Sequence, residues 1–439
     1  MYKKLSILNQ NSKSLCLIKK IGLPLSLHQQ HVEILKINNK KSSLELTIKK
    51  ENNEKILSFD PHWLRFNCQS IKSRQVSTGQ RIIPVDEVPD NLIIDLIEKE
   101  NENLKIKWNS ESKQPESVLP LEYLINNYSS NMDIEERFKP CKDLKFFNFN
   151  ELVDTNGKRN EEKIYEWLEH LVLYGLAIVK NLPTENNMVK KLAELIAPVQ
   201  NTIYDQLFDV KVDKNPINIA YSNAPLEFHM DLMYYESAPG IQFLHCLKFD
   251  HEINGGESLF TDSFVIAENF GREHPQLFDT LVQIPATFQK IHIDRTRPVY
   301  MVYQRPHIVL NHRKNIMAIN WAPAFEGPLS NLSQAEIKAY YKAYLAFSKA
   351  INSSSKILEY KLQPGDVACF NNRRILHARN GFVQNNGVRH FQGCYLNIDE
   401  FKSEALVKEF EIKYSKMGKN VNHVKLNLRN TVVGNNDYF

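Results

Sequence analysis

The sequence predicts a mainly β protein with flanking helices, a jelly roll preceded by a small β-rich N-terminal domain. Two observations carry the jelly roll. Strand-like blocks broken by turn signals run from Ile217 to Val309 and again from Tyr360 to Ile398, the signals being Pro239-Gly240, Asn254-Gly255-Gly256, Pro364-Gly365-Asp366 and Asn386-Gly387. Strands at both ends of a long insertion point to one closed β structure. A third observation carries the smaller domain: from Val32 to about Ser130 the pattern is short and β-like. A chain of 439 residues is long enough for a large core with a smaller one beside it, or for two of similar size.

Leu44-Glu45-Leu46-Thr47-Ile48 alternates as a half-buried strand does, and Lys55-Ile56-Leu57-Ser58-Phe59 leads into Asp60-Pro61-His62-Trp63. The polar stretch Asn126 to Glu136 reads as a linker, which places the small domain at residues 31–130 and the larger one at 140–439. Asn160 caps a helix whose apolar positions Ile164, Trp167, Leu168 and Leu171 follow the helical period, and Gly175 ends it before the strand Leu176 to Val179. A second helix carries Met188, Leu192, Leu195 and Ile196. A third opens with the capping box Ser333-x-x-Glu336 and runs through Tyr340, Tyr344 and Phe347.

The net charge of +4 is concentrated at the start: residues 1–30 hold five lysines and no acid, so 4 − 5 leaves about −1 for the rest. A folded part without surplus Lys and Arg excludes a nucleic-acid binder. The opening segment has the composition of a mitochondrial targeting peptide, although its lack of Arg also suits a basic tail on a cytoplasmic protein. Apolar runs fall far short of the roughly 20 residues that cross a bilayer, so a soluble chain with no membrane partner is expected. Six scattered cysteines without CxxC spacing indicate neither a disulfide framework nor a Cys-rich zinc site.

His229-Met230-Asp231 lies in a strand-like context, where residues two apart share a face, so imidazole and carboxylate are presented side by side. Alone, the pair is as readily two structural hydrogen-bonding groups. His377, 148 residues later at the end of another strand-like run, supplies the third element. Two histidines and one carboxylate on one face of a metal leave open positions for a chelating cosubstrate and dioxygen, as in non-haem Fe(II) oxygenases. Arg389, twelve residues after His377, offers a guanidinium fork to a carboxylate, and its apolar neighbours Phe391, Cys394, Tyr395 and Leu396 argue against a surface arginine. Ser258 can donate to the same carboxylate, or be a plain turn serine.

At these residues the sequence resembles the gamma-butyrobetaine dioxygenase and trimethyllysine dioxygenase family, part of the taurine-dioxygenase-like group. The resemblance runs from about Phe59 to Phe401. It rests on His62-Trp63-Leu64-Arg65, Glu227-Phe228-His229-Met230-Asp231-Leu232, Pro239-Gly240-Ile241-Gln242-Phe243-Leu244-His245-Cys246, Gly255-Gly256-Glu257-Ser258 and Arg389-His390-Phe391-Gln392-Gly393-Cys394-Tyr395. It implies a double-stranded β-helix catalytic domain and hydroxylation of a small trimethylammonium substrate by dioxygen, coupled to conversion of 2-oxoglutarate to succinate. His229, Asp231 and His377 are then the Fe(II) ligands, and Arg389, Ser258 and Leu244 line the 2-oxoglutarate site. Tyr204, Phe208, Tyr221 and Tyr395 form the ammonium cage, physically apt because aromatic faces attract a quaternary cation that donates no hydrogen bond. Asn218 and Asn320 complete the expected substrate contacts. Ascorbate as reductant and a homodimer would be in keeping with the family.

Two departures stand out. Where family members hold zinc through a Cys cluster and a His, only Cys68 remains, in Arg65-Phe66-Asn67-Cys68-Gln69-Ser70, and no zinc is expected. Of the paired asparagines that reach the butyrobetaine carboxylate, Asn320-Trp321-Ala322-Pro323 keeps only Asn320. These departures bear on substrate identity more than on reaction type, and hydroxylation of gamma-butyrobetaine to L-carnitine is the leading expectation. Trimethyllysine is the rival, with Glu227 placed to pair with an α-ammonium. An idle betaine-binding protein, with no use for the triad or Arg389, is the third reading.

Overall fold

The computed structural model describes residues 32–50, 53–75, 77–109, 116–127, 139–212, 222–383 and 387–414. The basic segment 1–30, residues 128–136 of the polar stretch, and Asn218, Tyr221 and Asn386 lie outside them. The described part is strand-rich and falls into two compact units, the first running to Leu121 except for residues 76–79, which group with the second, and the second continuing from Glu122.

In the first unit, β1 (Val32–Asn39), β2 (Leu44–Lys50) and β3 (Asn53–Phe59) form an antiparallel sheet. Leu44, Leu46 and Ile48 are buried while Glu45 and Thr47 are half-exposed, as the alternation of β2 requires. The helix Pro61–Phe66 follows β3, with Asp60 accepting hydrogen bonds from the His62 and Trp63 amides at 2.8 and 3.1 Å. A second antiparallel sheet joins β4 (Ile94–Glu100), β5 (Asn103–Trp108) and β6 (Glu116–Pro120).

The second unit continues with β7 (Phe146–Asn148), β8 (Leu176–Lys180), β9 (Phe208–Val210), β10 (Leu226–His229), β11 (Ile241–Phe249), β12 (Asn254–Gly255) and β13 (Ser258–Asp262). Then come β14 (Pro285–His292), β15 (Val299–Pro306), β16 (Ile308–Leu310), β17 (Ile316–Ile319), β18 (Leu358–Tyr360), β19 (Val367–Asn371), β20 (Ile375–Arg379), β21 (Phe382–Val383) and β22 (Arg389–Leu396). A six-stranded sheet has the order β7-β8-β19-β11-β22-β9, and a four-stranded sheet the order β10-β20-β13-β18. Both pair strands that precede residue 263 with strands that follow residue 357, so the two turn-broken blocks meet as anticipated.

The two sheets share one buried cluster, in which Leu176, Cys246, Phe370 and Phe391 of the larger meet Phe260 and Ile375 of the smaller. The other face of the larger sheet is covered by the helix Glu161–Tyr174. Its Trp167 meets Phe243 edge-on at 6.1 Å, within a cluster that also holds Ile164, Leu168 and Leu171. That helix has the ends its sequence dictates: the Asn160 side chain accepts from the Lys163 amide, and Gly175 takes φ 79°, where a Cβ is disfavoured. The helix Gln334–Asn352 has the full capping box of Ser333 and Glu336.

Two stretches differ from the sequence reading. The helix Met188–Ala193 stops before Leu195 and Ile196. The stretch read as strands up to Val309 contains the helices Ser263–Glu273 and Pro275–Gln283. Asp262 caps the first by accepting from the Phe264 amide, and Pro275 sits in the first turn of the second, so local signals favoured helix over the β-like composition around them.

Candidate active site

Period-two alternation places the site. On β11, Phe243 turns to the covering helices while Gln242 and Leu244 turn to the cavity between the sheets. On β22, Cys394 turns to the helices, and Arg389, Phe391 and Tyr395 to the cavity. On β20, His377 and Arg379 share that inward face.

His229 at the end of β10 pairs directly with His377 of β20, their rings 4.2 Å apart between centroids. Asp231 is not on the strand. The chain leaves β10 after His229, Leu232 takes a left-handed φ of 58°, and the buried Asn372 side chain grips the turn. Asn372 accepts from the Asp231 amide at 2.8 Å and donates to the Asp231 and Pro239 carbonyls at 3.0 and 3.2 Å. The donor atoms of His229, Asp231 and His377 all lie within 4.8 Å of one another, the one such metal-competent group among the described residues.

The donor chemistry fits a divalent metal. His229 Nδ1 donates to the Glu227 carbonyl at 2.8 Å, which fixes the tautomer and frees Nε2, 3.5 Å from Asp231 Oδ1. The Tyr395 hydroxyl donates to Asp231 Oδ2 at 2.7 Å. Burial raises the Asp231 pKa, but the His229 hydrogen bond, the neighbouring imidazoles and Tyr395 outweigh it and keep the carboxyl far below its usual range. Burial, reinforced by the charge of His229, pushes His377 down to about 3 and keeps it neutral. For His229 burial also lowers the pKa, yet Asp231 more than compensates and the net direction is upward. An anionic carboxylate beside a neutral imidazole is a donor set suited to a divalent cation.

Arg389 lies on the same cavity wall, 5% exposed, with its guanidinium carbon 4.1 Å from the Phe391 ring centroid. Nη2 reaches the Gly256 carbonyl at 3.4 Å, and Nε is buried without a partner. Burial, then the nearby Arg379, pulls its pKa down to about 9. A guanidinium that stays charged at any ordinary pH instead bears the desolvation cost until an anion meets it. Ser258 of β13 and Leu244 of β11 also line the cavity. Gly256 takes φ 79°, and a Cβ there would press on Phe249 at 3.2 Å and on Arg389 Nε at 3.4 Å, so the close approach needs glycine.

Tyr204, Phe208 and Tyr395 line the opposite part of the cavity, the last two rings stacked at 5.0 Å. Gly393 makes the stack possible, since a Cβ there would come within 2.3 Å of the Phe208 ring. Asn320 is elsewhere: it is 1% exposed, does not line the cavity, and its amide donates to the Pro306 carbonyl at 2.6 Å. Next to it, the Trp321 carbonyl accepts from the Met230 amide at 2.8 Å, bracing the turn that carries Asp231. Glu227 is exposed and does not line the cavity either. Arg379, Gln242, Tyr234 and Phe325 also line it. Arg379 and Gln242 were findable as residues two away from His377 and Leu244 on the same strand face. Tyr234 comes from a turn and Phe325 from the 3₁₀ turn Pro323–Phe325, both too short to leave a periodic signal.

Residues 144–395 match the family model described as "Taurine catabolism dioxygenase TauD, TfdA family", and the chain belongs to that family. Residues 35–124 match a second model, "Gamma-butyrobetaine hydroxylase-like, N-terminal". Among curated relatives, a "Gamma-butyrobetaine dioxygenase" of Pseudomonas sp. (strain AK-1) is 29% identical over 359 residues, covering 80% of this chain and 91% of the relative. A "Trimethyllysine dioxygenase, mitochondrial" of Rattus norvegicus is 26% identical over 399 residues, 88% of this chain and 90% of the relative. A "Dioxygenase str8" of Strobilurus tenacellus is 28% identical over 362 residues, 77% of this chain and 82% of the relative. No helix among the described residues is long and apolar enough to cross a membrane.

Proposed function

We propose that this chain is an Fe(II)- and 2-oxoglutarate-dependent dioxygenase that hydroxylates a small trimethylammonium substrate, gamma-butyrobetaine first and trimethyllysine as the alternative. One observation carries the reading: a His-Asp-His donor set and a buried, underpartnered arginine share one cavity whose far walls are aromatic. In this reading β8, β10, β11, β13, β19, β20 and β22 belong to a double-stranded β-helix, the catalytic domain spans 140–439 behind a small domain at 31–130, and residues 1–30 direct the protein to mitochondria.

His229, Asp231 and His377 would hold the iron, which when bound would supply dioxygen activation coupled to oxidative decarboxylation of 2-oxoglutarate. Arg389 receives the distal carboxylate of 2-oxoglutarate through its fork, Ser258 adds a hydroxyl donor, and Leu244 excludes water beside it. Tyr395 serves two groups at once. Its hydroxyl orients Asp231, while its ring, with Phe208 and Tyr204, offers π faces to the quaternary ammonium.

Incubation of the purified protein with Fe(II), 2-oxoglutarate, dioxygen and a panel of quaternary amines tests the reading. One trimethylammonium compound should gain one oxygen atom with an equal amount of succinate formed. Succinate release coupled to a substrate without a quaternary ammonium would leave only a generic dioxygenase. Tight amine binding with no succinate would favour an idle betaine-binding protein.

A further inference from the structure

Asn372 holds the turn that carries Asp231 from one side; on the other side the turn leans on residues that do not line the cavity. The Met230 amide, between His229 and Asp231, donates to the Trp321 carbonyl. Trp321 follows Asn320 just beyond β17, where the sequence departs from the family's paired asparagines. Both residues are buried. The Asn320 side chain is bonded to the Pro306 carbonyl, and the backbone of the pair is held by a histidine.

That histidine is His307, fully buried between β15 and β16. Its Nδ1 lies 2.6 Å from the Asn320 carbonyl, its own carbonyl accepts from the Asn320 amide at 2.7 Å, and its Nε2 lies 2.7 Å from the Tyr340 hydroxyl. A carbonyl can only accept, so Nδ1 carries the proton and Nε2 accepts from Tyr340. Burial pulls the His307 pKa down to about 4 against the opposing bond to Asn320, so the ring stays neutral and both nitrogens are satisfied. Tyr340 belongs to the helix Gln334–Asn352, and so do Tyr344, on which the Trp321 ring stacks at 4.8 Å, and Phe347, which it meets edge-on at 5.5 Å. One chain of contacts, Tyr340 to His307 to Asn320 to Trp321 to Met230, therefore joins that helix to the peptide between two members of the donor set, and none of the five lines the cavity.

We propose that His307 is a positioning residue for the metal site: by tying the Asn320 carbonyl to Tyr340 it seats the Trp321 carbonyl against the Met230 amide, and so sets how His229 and Asp231 face His377. The proposal rests on the reading of His229, Asp231 and His377 as metal ligands. Its physical basis is that ligand affinity depends on lone pairs converging on one point, which outer partners enforce. Without His307 the Asn320 carbonyl and the Tyr340 hydroxyl would be buried and unpaired, and the backbone that braces Met230 would move to satisfy them. A histidine kept only to fill the core would be replaceable by an apolar side chain with no effect on the metal.

The test is anaerobic calorimetric titration of the purified full chain with Fe(II) alone, beside Tm. His307→Leu removes both side-chain bonds and should weaken Fe(II) binding by about tenfold, the lower end of what partners that orient ligands contribute. His307→Asn places an amide N–H where Nδ1 stood and should recover most of that affinity; it leaves more empty space than Leu, so the recovery cannot come from packing. Ile164→Ala, in the cluster on the other face of the larger sheet, should lower Tm and leave Fe(II) affinity at the wild-type value. Wild-type affinity in His307→Leu, or no recovery in His307→Asn, would make His307 a core residue only and overturn the proposal. If His307→Leu does not fold, Tyr340→Phe carries the test: it removes only the hydroxyl that His307 accepts and should weaken Fe(II) several-fold, and unchanged affinity there would overturn the proposal as well. Absence of Fe(II) binding by wild type would remove the ligand reading itself, and the proposal with it.

Discussion

Arg389 and Tyr395 stand six residues apart on one face of β22, yet they answer to different chemistry, and single substitutions separate them. Arg389 carries its charge in a buried pocket among Phe249, Phe382 and Phe391. Arg389→Lys keeps a cation but loses the planar fork, so the 2-oxoglutarate KM should rise about tenfold or more while the amine KM moves little. Equal effects on both would mark Arg389 as a structural residue. Under the proposed function, Tyr395 couples the metal site to the aromatic wall. Tyr395→Phe removes the hydroxyl on Asp231 and leaves the ring, so metal affinity should drop by about 10- to 100-fold with amine binding preserved. Anaerobic Fe(II) titration beside amine binding measures both, and unchanged metal affinity would detach Tyr395 from the metal site.

At the scale of elements, the site depends on how β10 and β20 meet. The strands place His229 opposite His377, but the carboxylate is set by Asn372, which lies between β19 and β20 and grips the turn after β10. Asn372→Ala leaves the buried Asp231 amide and two carbonyls unpaired, a cost of about 2–4 kcal/mol in stability, and should weaken metal binding. Full metal affinity in that variant would show that the turn is held by other contacts. On the helical side, the short 3₁₀ turn Pro323–Phe325 leads into Glu326, whose carboxyl burial raises to about 7 while the Tyr344 hydroxyl pulls it down. A carboxyl with a raised folded pKa takes up a proton on folding. Its stabilisation is full below the ordinary value of 4.5 and is lost as pH rises from there through about 7. Glu326→Gln should therefore raise Tm above wild type at pH 8 and match it near pH 5; the same Tm difference at both pH values would sink the argument.

Across the whole molecule, ligands that bind only the folded state add stability by mass action. Metal together with 2-oxoglutarate should raise Tm in a concentration-dependent way, by about 2.7 kcal/mol of stability for each ligand present at a hundred times its Kd. His377→Ala should lose the metal-dependent part of the shift, and an undiminished shift would place the metal elsewhere. The same scale explains how much could be read in advance. Gly175, Asn160 and Ser333 declare helix ends through local hydrogen bonds and φ preferences, so those ends were legible. The helices Ser263–Glu273 and Pro275–Gln283 were not, because apolar residues such as Phe264, Ile266, Phe270 and Leu281 fit a buried strand or a buried helix equally well.

By itself the sequence determined the residue types and the order of the chemistry: His229, Asp231, His377 and Arg389, separated along the chain but each in a strand-like context whose two-residue period sends alternate side chains to one face. It also determined the turns that let the chain return on itself, because Gly and Pro restrict the backbone locally. Tertiary structure alone decided which groups meet. The pairing of β10 with β20 brings His229 to His377 across 148 residues, Asn372 sets Asp231 where no strand does, and Asn320 turns to Pro306. Such contacts join positions far apart in the chain, and the free energy that selects them comes from burying one shared core, which no local pattern encodes.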